Sequence, residues 1–159
     1  MNEVFFNEIR LGNLNEVRAM LTKNAALLDS RDQRGSTPLV LATYYNRLEI
    51  AELLLDHGAE IDAKDASGNT ALMGVCFKGF TEIVKKLIEK GANVNQRNSM
   101  GSTCLIYAVT FNHPEIAKLL IGHGADVMVK DNRGSTALDH AKIQGKAELI
   151  DLLEGNNKG

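Results

Sequence analysis

Apolar and polar positions along this chain follow helical spacing in short blocks, and the blocks come in pairs. Leu39, Val40 and Ala42 form the apolar side of one block; beyond Asn46, Ile50, Leu53 and Leu54 form that of a second. Steps of three and four residues mark one face of a helix. The pair then returns 33 residues later, and twice more: Gly35, Gly68, Gly101 and Gly134 share one phase, Thr37, Thr70, Thr103 and Thr136 a second, Leu39, Leu72, Leu105 and Leu138 a third. Glu49, Glu82, Glu115 and Glu148 hold another, and Gly58-Ala59, Gly91-Ala92 and Gly124-Ala125 close the three complete units. A fixed period of this length predicts a solenoid, in which each unit buries its apolar face only against its neighbours.

Local signals set the ends of the elements. Asp32-Gln33-Arg34-Gly35 reads as a turn. Thr37 caps the helix that follows, and Pro38 suits its first position. Asn46, Gly79, Asn112 and Gly145 share the corner between paired helices, and these residue types tolerate a left-handed backbone best, so a tight corner is predicted at all four. Gly58 ends the second helix as a C′ glycine. Lys86 stands where other units have leucine and is expected half-exposed, its stem lying over apolar surface. Upstream, Val4, Phe5, Phe6 and Ile9 predict one amphipathic helix; after Gly12-Asn13, Leu14, Val17, Met20 and Leu21 predict another. This pair reads as a capping unit over 1–31, followed by full units at 32–64, 65–97 and 98–130. The last unit, 131–154, lacks the closing Gly-Ala and carries Asp139 and Glu154 at otherwise apolar phases, as an end cap requires. Residues 155–159 are expected to form a flexible tail.

The pattern D-x-x-G-x-T-P-L…A followed by E-I-x-x-L-L-x-x-x-G-A resembles the ankyrin repeat, from about Glu3 to Glu154. The resemblance implies an all-α solenoid of stacked helix-turn-helix units joined by β-hairpin-like turns. The chain is similar to the small stand-alone ankyrin-repeat proteins of bacteria. Two departures are systematic. The family often has histidine after T-P-L, where this chain has Val40, Met73, Ile106 and Asp139, so the histidine's hydrogen bonds should be lost and replaced by a more apolar core. Only the first unit keeps its proline, Pro38.

Composition narrows the function. The net charge is -2 and the pI about 6.1, against the basic balance of a nucleic-acid binder. No apolar run approaches the ~20 residues a membrane-spanning helix needs, and the start has no signal-peptide pattern. Cys76 and Cys104 make no disulfide framework, which points to a reducing, cytoplasmic setting. His57 and His123 occupy equivalent helix ends, His113 fills a corner, and Asp139-His140, as sequence neighbours on a helix, point about 100° apart. None of these builds a metal or catalytic site, and no cofactor is expected.

The positions the repeat leaves free carry the functional expectation. One row is Tyr44, Phe77, Thr110, Ile143 and its neighbour Tyr45, Lys78, Phe111, Gln144, which gathers half of the aromatic residues at two phases. In this family the turn tips and the exposed side of the first helix usually make the contacts, so these rings read as contact anchors, the alternative being that some merely cover the inner helices. Arg31, Lys64, Arg97 and Lys130 form a basic row before each turn, while Arg34, Met100 and Arg133 sit at the tips. That edge reads either as a solvated mixed-charge surface or as one that steers in an acidic partner. The expected function is a non-enzymatic adaptor or inhibitor, monomeric, binding another protein through Arg34, Tyr44, Tyr45, Phe77, Lys78, Arg97, Met100, Phe111 and Arg133, with neither nucleic acid nor membrane as partner. A self-associating structural protein and an enzyme with an unrecognised groove are the alternatives. Tyr107 and Gly74 share a phase in adjacent units, and Tyr107 is expected to lean over the glycine.

Overall fold

The computed structural model describes residues 2–157, and among them the regular structure is helical throughout. The expected tail is only partly open to comparison: Lys158 and Gly159 lie outside the described residues, while the last helix continues to Asn157, beyond Glu154. Helix α1 (Asn2–Leu11) turns at Gly12 into α2 (Leu14–Lys23), and a 3-10 turn over Ala25–Asp29, capped by Asn24, leads out. Four helix pairs follow: α3 (Pro38–Tyr44) with α4 (Leu48–Asp56), α5 (Ala71–Lys78) with α6 (Thr81–Glu89), α7 (Cys104–Thr110) with α8 (Pro114–Gly122), and α9 (Ala137–Gln144) with α10 (Ala147–Asn157). The odd-numbered helices pack on one another in chain order as an inner row. The even-numbered helices lie outside them, each against its own inner partner.

Each inner helix begins where threonine satisfies an orphan N–H. The hydroxyls of Thr37, Thr70, Thr103 and Thr136 accept from the N–H of Val40, Met73, Ile106 and Asp139 at 3.1–3.3 Å. In the last unit the Asp139 carboxylate also accepts from the Thr136 N–H at 2.9 Å, closing a capping box. The corners are left-handed as the residue types demand, with φ of 61° at Asn46 and 60° at Asn112. Between the rows lies one continuous core in which Leu39, Leu72 and Leu105 of the inner helices meet Ile50, Leu54, Ile83, Leu87, Ile116 and Leu120 of the outer ones. Phe5, Phe6, Ile9, Val17 and Leu21 close its N-terminal end. Lys86 is half-buried as expected, between Glu52 at 4.0 Å and Glu89 at 3.8 Å.

A finger opens each unit from 32 onward. Asp32, Asp65, Asn98 and Asp131 each turn a side-chain oxygen onto the N–H groups two and four residues ahead, at 2.9–3.0 Å. The fingers are also tied to each other. Arg34, Ser67 and Met100 accept, through their carbonyls, from the N–H of Ala66, Ser99 and Asn132 at 3.4, 3.0 and 3.0 Å. This approach is why glycine recurs: at Gly68, where φ is +81°, an added Cβ would stand 2.9 Å from the Ser99 nitrogen.

Candidate protein-binding face

The last turns of the inner helices leave their rings half in solvent because no outer helix reaches them. Tyr44, Tyr45, Phe77 and Phe111 are 38–44 % exposed and Ile143 is 80 % exposed. Met100, at a finger tip, is likewise open, whereas no large exposed apolar side chain lies on the outer helices among the described residues. The rings form two contacting groups, with Lys78 reaching from one toward the other. Phe77 meets Phe111 edge-on at 4.6 Å, Tyr107 stacks near Phe111 at 6.2 Å, and Tyr44 contacts Tyr45 at 6.0 Å. The Lys78 ammonium lies 4.9 Å from the centre of the Tyr44 ring.

These contacts do not run between equal phases. Tyr44 meets Lys78, Phe77 meets Phe111, and Gln144 donates to the Thr110 carbonyl at 2.9 Å, a step of 34 residues in the last case. Neighbouring inner helices are therefore offset by one residue, and the two expected rows merge into one diagonal stripe. The same offset corrects the placing of Tyr107: the atom closest to where a Gly74 side chain would stand is Cδ1 of Tyr44, at 3.7 Å. The Tyr107 hydroxyl instead accepts from the Asn98 amide at 2.8 Å. His140, one unit on at the same phase, has its Nε2 2.9 Å from Asp131 Oδ2. In the last two units a finger-to-helix contact is thus made by the residue one position after the phase at which the family often has histidine. Burial acts to raise the Asp131 carboxyl, but the hydrogen bonds from His140 and from the Ser135 and Arg133 N–H groups outweigh it and hold the group below the usual carboxylate value.

The basic row is largely committed to the fold. Arg31 donates to the carbonyls of Gly35 and Lys64 at 2.7 and 2.6 Å, Lys64 to that of Arg97 at 2.9 Å, and Arg97 to those of Gly101 and Lys130 at 3.1 and 2.6 Å. Each of these cations staples one unit to the next. Among the described residues, Arg34 and Arg133, at the finger tips, use only their backbone in hydrogen bonds, and their side chains are exposed. The histidines are occupied similarly: His57 and His123 place Nδ1 at 2.9 and 2.8 Å from the Leu53 and Leu119 carbonyls, closing helix ends, and His113 places Nε2 3.2 Å from the Phe77 carbonyl.

At the N-terminal end the stripe opens into a groove of about 890 Å³ between α1, the first two fingers and α3. Phe6, Arg10, Asp32, Arg34, Tyr44 and Tyr45 line it, with Arg10 held by Asn7 at 2.8 Å and facing Asp32 at 3.8 Å. Phe6 and Arg10 escape a reading by phase because the first unit departs from the period. Arg47 escapes it too: its guanidinium donates twice to the Arg10 carbonyl, at 3.0 and 2.6 Å, tying the first unit to the second.

Two family models match. One described as ankyrin repeats in three copies covers residues 59–131, and one described as ankyrin repeats in many copies covers 20–73. The chain belongs to the ankyrin-repeat family, whose repeats generally serve as protein–protein interaction modules and are typically non-enzymatic. No curated protein matches it as a relative. Among the described residues, no helix is long and apolar enough to cross a membrane.

Proposed function

We propose that this protein is an adaptor or inhibitor that binds a partner protein through the inner face. Tyr44, Tyr45, Phe77 and Phe111 act as anchors, Lys78 flanks them, and Arg34, Met100 and Arg133 make contact from the finger tips. The observation that carries the reading is the asymmetry of exposure: two groups of aromatic rings stand partly in solvent on the inner face, while among the described residues the outer helices expose no large apolar side chain. Exposed rings on a rigid scaffold bury large area at small entropic cost, the property of binding hot spots. Charge is segregated in the same sense. Helices α4 and α10 carry Glu49, Glu52, Asp56, Glu148, Asp151 and Glu154 without a basic residue, whereas the exposed tip cations are on the finger side. An acidic partner is therefore disfavoured at α4 and α10 and drawn to the exposed finger tips, while α2, α6 and α8 carry Arg18, Lys23, Lys85, Lys86 and Lys118 among their acidic residues. Arg97, committed to its staple, contributes to the shape of this surface more than to contact. The protein works as a monomer, and its two buried free thiols suit a reducing, cytoplasmic setting.

The test is affinity capture on the immobilised protein, comparing the parent with a Tyr45→Ala, Phe111→Ala double variant and a Glu52→Ala, Lys118→Ala control. Loss of a captured protein in the first variant alone supports the reading. Equal capture by all three, or a concentration-dependent dimer in place of a partner, rejects it.

A further inference from the structure

The chain has two cysteines, and they fall on the two sides of one seam. Cys76 sits near the end of α5, and Cys104 opens α7, the inner helix packed directly on it. Both residues are 0 % exposed, and the Cys76 thiol is within side-chain hydrogen-bonding reach of the Cys104 thiol. The equivalent positions at the neighbouring seams hold Thr43 with Ala71 and Val109 with Ala137, all buried, so the pair fills a place built for small side chains. Packing alone calls for nothing more reactive than those residues. Burial, reinforced by the neighbouring thiol, raises the Cys76 group well above its ordinary value and keeps it a thiol at neutral pH. The closed stack therefore holds the two sulfurs together, with Cys76 protonated and both shielded from solvent.

We infer that Cys76 and Cys104 form an oxidation site at which hydrogen peroxide converts the facing thiols into a disulfide joining α5 to α7. Of the products open to two buried thiols, this is the one the seam can hold. A sulfinate, or a monovalent cation between two thiolates, would leave net negative charge in an apolar core, whereas a disulfide is neutral and needs no hydrogen-bond partner. A divalent ion would need further ligands, and among the described residues no group of three or more histidine, cysteine or carboxylate side chains is placed to hold a metal. The reaction goes through openings of the seam, because peroxide meets neither sulfur in the closed stack. One sulfur attacks a peroxide oxygen: the S–O bond forms, the O–O bond breaks, and the departing oxygen leaves as water with the thiol's proton. The second sulfur attacks the resulting sulfenic acid, forming the S–S bond and releasing the hydroxyl as a second water with the second thiol's proton. The sulfur pair loses two electrons and the peroxide gains them. Cys76 directly precedes Phe77, and α7 carries Tyr107 and ends beside Phe111, so the bond pins together the two helices whose rings meet on the inner face.

The test exposes the reduced protein to hydrogen peroxide at neutral pH, beside Cys104→Ala and Cys76→Val. These substitutions copy Ala71 and Ala137, and Val109, at the same phases, so the fold should be retained. Remaining thiols are then blocked in denaturant and the chain is mapped by mass spectrometry, while thermal melts are recorded before and after dithiothreitol. The expected result in the parent is a linkage within one chain between the peptides holding Cys76 and Cys104, with both thiols lost together. Closing a loop of roughly thirty residues should raise the melting temperature by roughly 5–10 °C, a gain that dithiothreitol reverses and neither variant shows. Thiols that can still be blocked after overnight exposure overturn the inference, as does sulfinic acid without a linkage. So does a linkage between chains in place of one within the chain, a linked protein that melts no higher than the reduced one, or an equal rise in either variant.

Discussion

At Asn46 and Asn112 a positive φ is held by a residue with a Cβ, which costs less for asparagine than for almost any other side chain. Gly79 and Gly145 serve the same corner. Asn46→Gly should therefore be neutral or mildly stabilising, while Asn46→Val should cost about 1 kcal/mol or more in urea denaturation. Equal midpoints would contradict the corner geometry. Such positions are legible in sequence because only a few residue types tolerate the conformation. Gly74 shows the opposite case. It is helical, and a Cβ there would touch Tyr44 at an ordinary van der Waals distance of 3.7 Å. Gly74→Ala should stabilise by roughly 0.5–1 kcal/mol through reduced freedom of the unfolded chain. Gly74→Leu should push Tyr44 aside and cost about 1–3 kcal/mol. Which ring covers Gly74 was hidden from the sequence, because a period fixes phase and says nothing about the one-residue lateral offset between stacked helices.

Between elements, cohesion comes from side chains that cross from one finger to the next. Arg97→Met keeps the stem and removes both carbonyl contacts, so it should lower stability by about 1–2 kcal/mol without disturbing the core. A midpoint unchanged from the parent would show the staple to be idle. The Asp131–His140 contact gives a second test through pH. Because the folded carboxyl of Asp131 is held below its ordinary value, folding binds fewer protons there than unfolding does. Its contribution is complete above the unfolded pKa of about 3.9 and is lost as pH falls through the lower folded value. Asp131→Asn, which copies Asn98 of the preceding unit, should flatten the fall in stability on acidification below about pH 5, measured by urea melts at successive pH values. The sequence announced a basic row and a turn aspartate at fixed phases, but not their partners. Those partners are backbone carbonyls and N–H groups, which carry no signature of residue type.

Over the whole molecule, a repeat is its own alignment, which is why the fold was readable from one sequence: each apolar phase is attested several times. The groove beside α1 was not readable, since Phe6 and Arg10 belong to the unit that departs from the period and have no equivalents to be compared with. The inner face combines both kinds of information, with aromatic phases visible in advance and their merging into a single stripe visible only in three dimensions. Separate parts of that face should fail in separate ways once a partner is in hand. Tyr45→Ala or Phe111→Ala should weaken binding by about 2 kcal/mol, chiefly through faster dissociation, with thermal stability retained. Arg34→Ala and Arg133→Ala, which remove exposed tip cations, should slow association from an acidic partner and reduce its dependence on salt while changing dissociation little. Substitutions at Lys85 and Lys118 remove exposed ion pairs on the outer helices, and one at Glu52 removes a contact to the half-buried Lys86; all three should leave both rates as they are. Binding kinetics for each variant at two salt concentrations separate these outcomes. Sensitivity at Glu52 and Lys118 with indifference at Tyr45 and Phe111 would move the recognition surface to the outer helices.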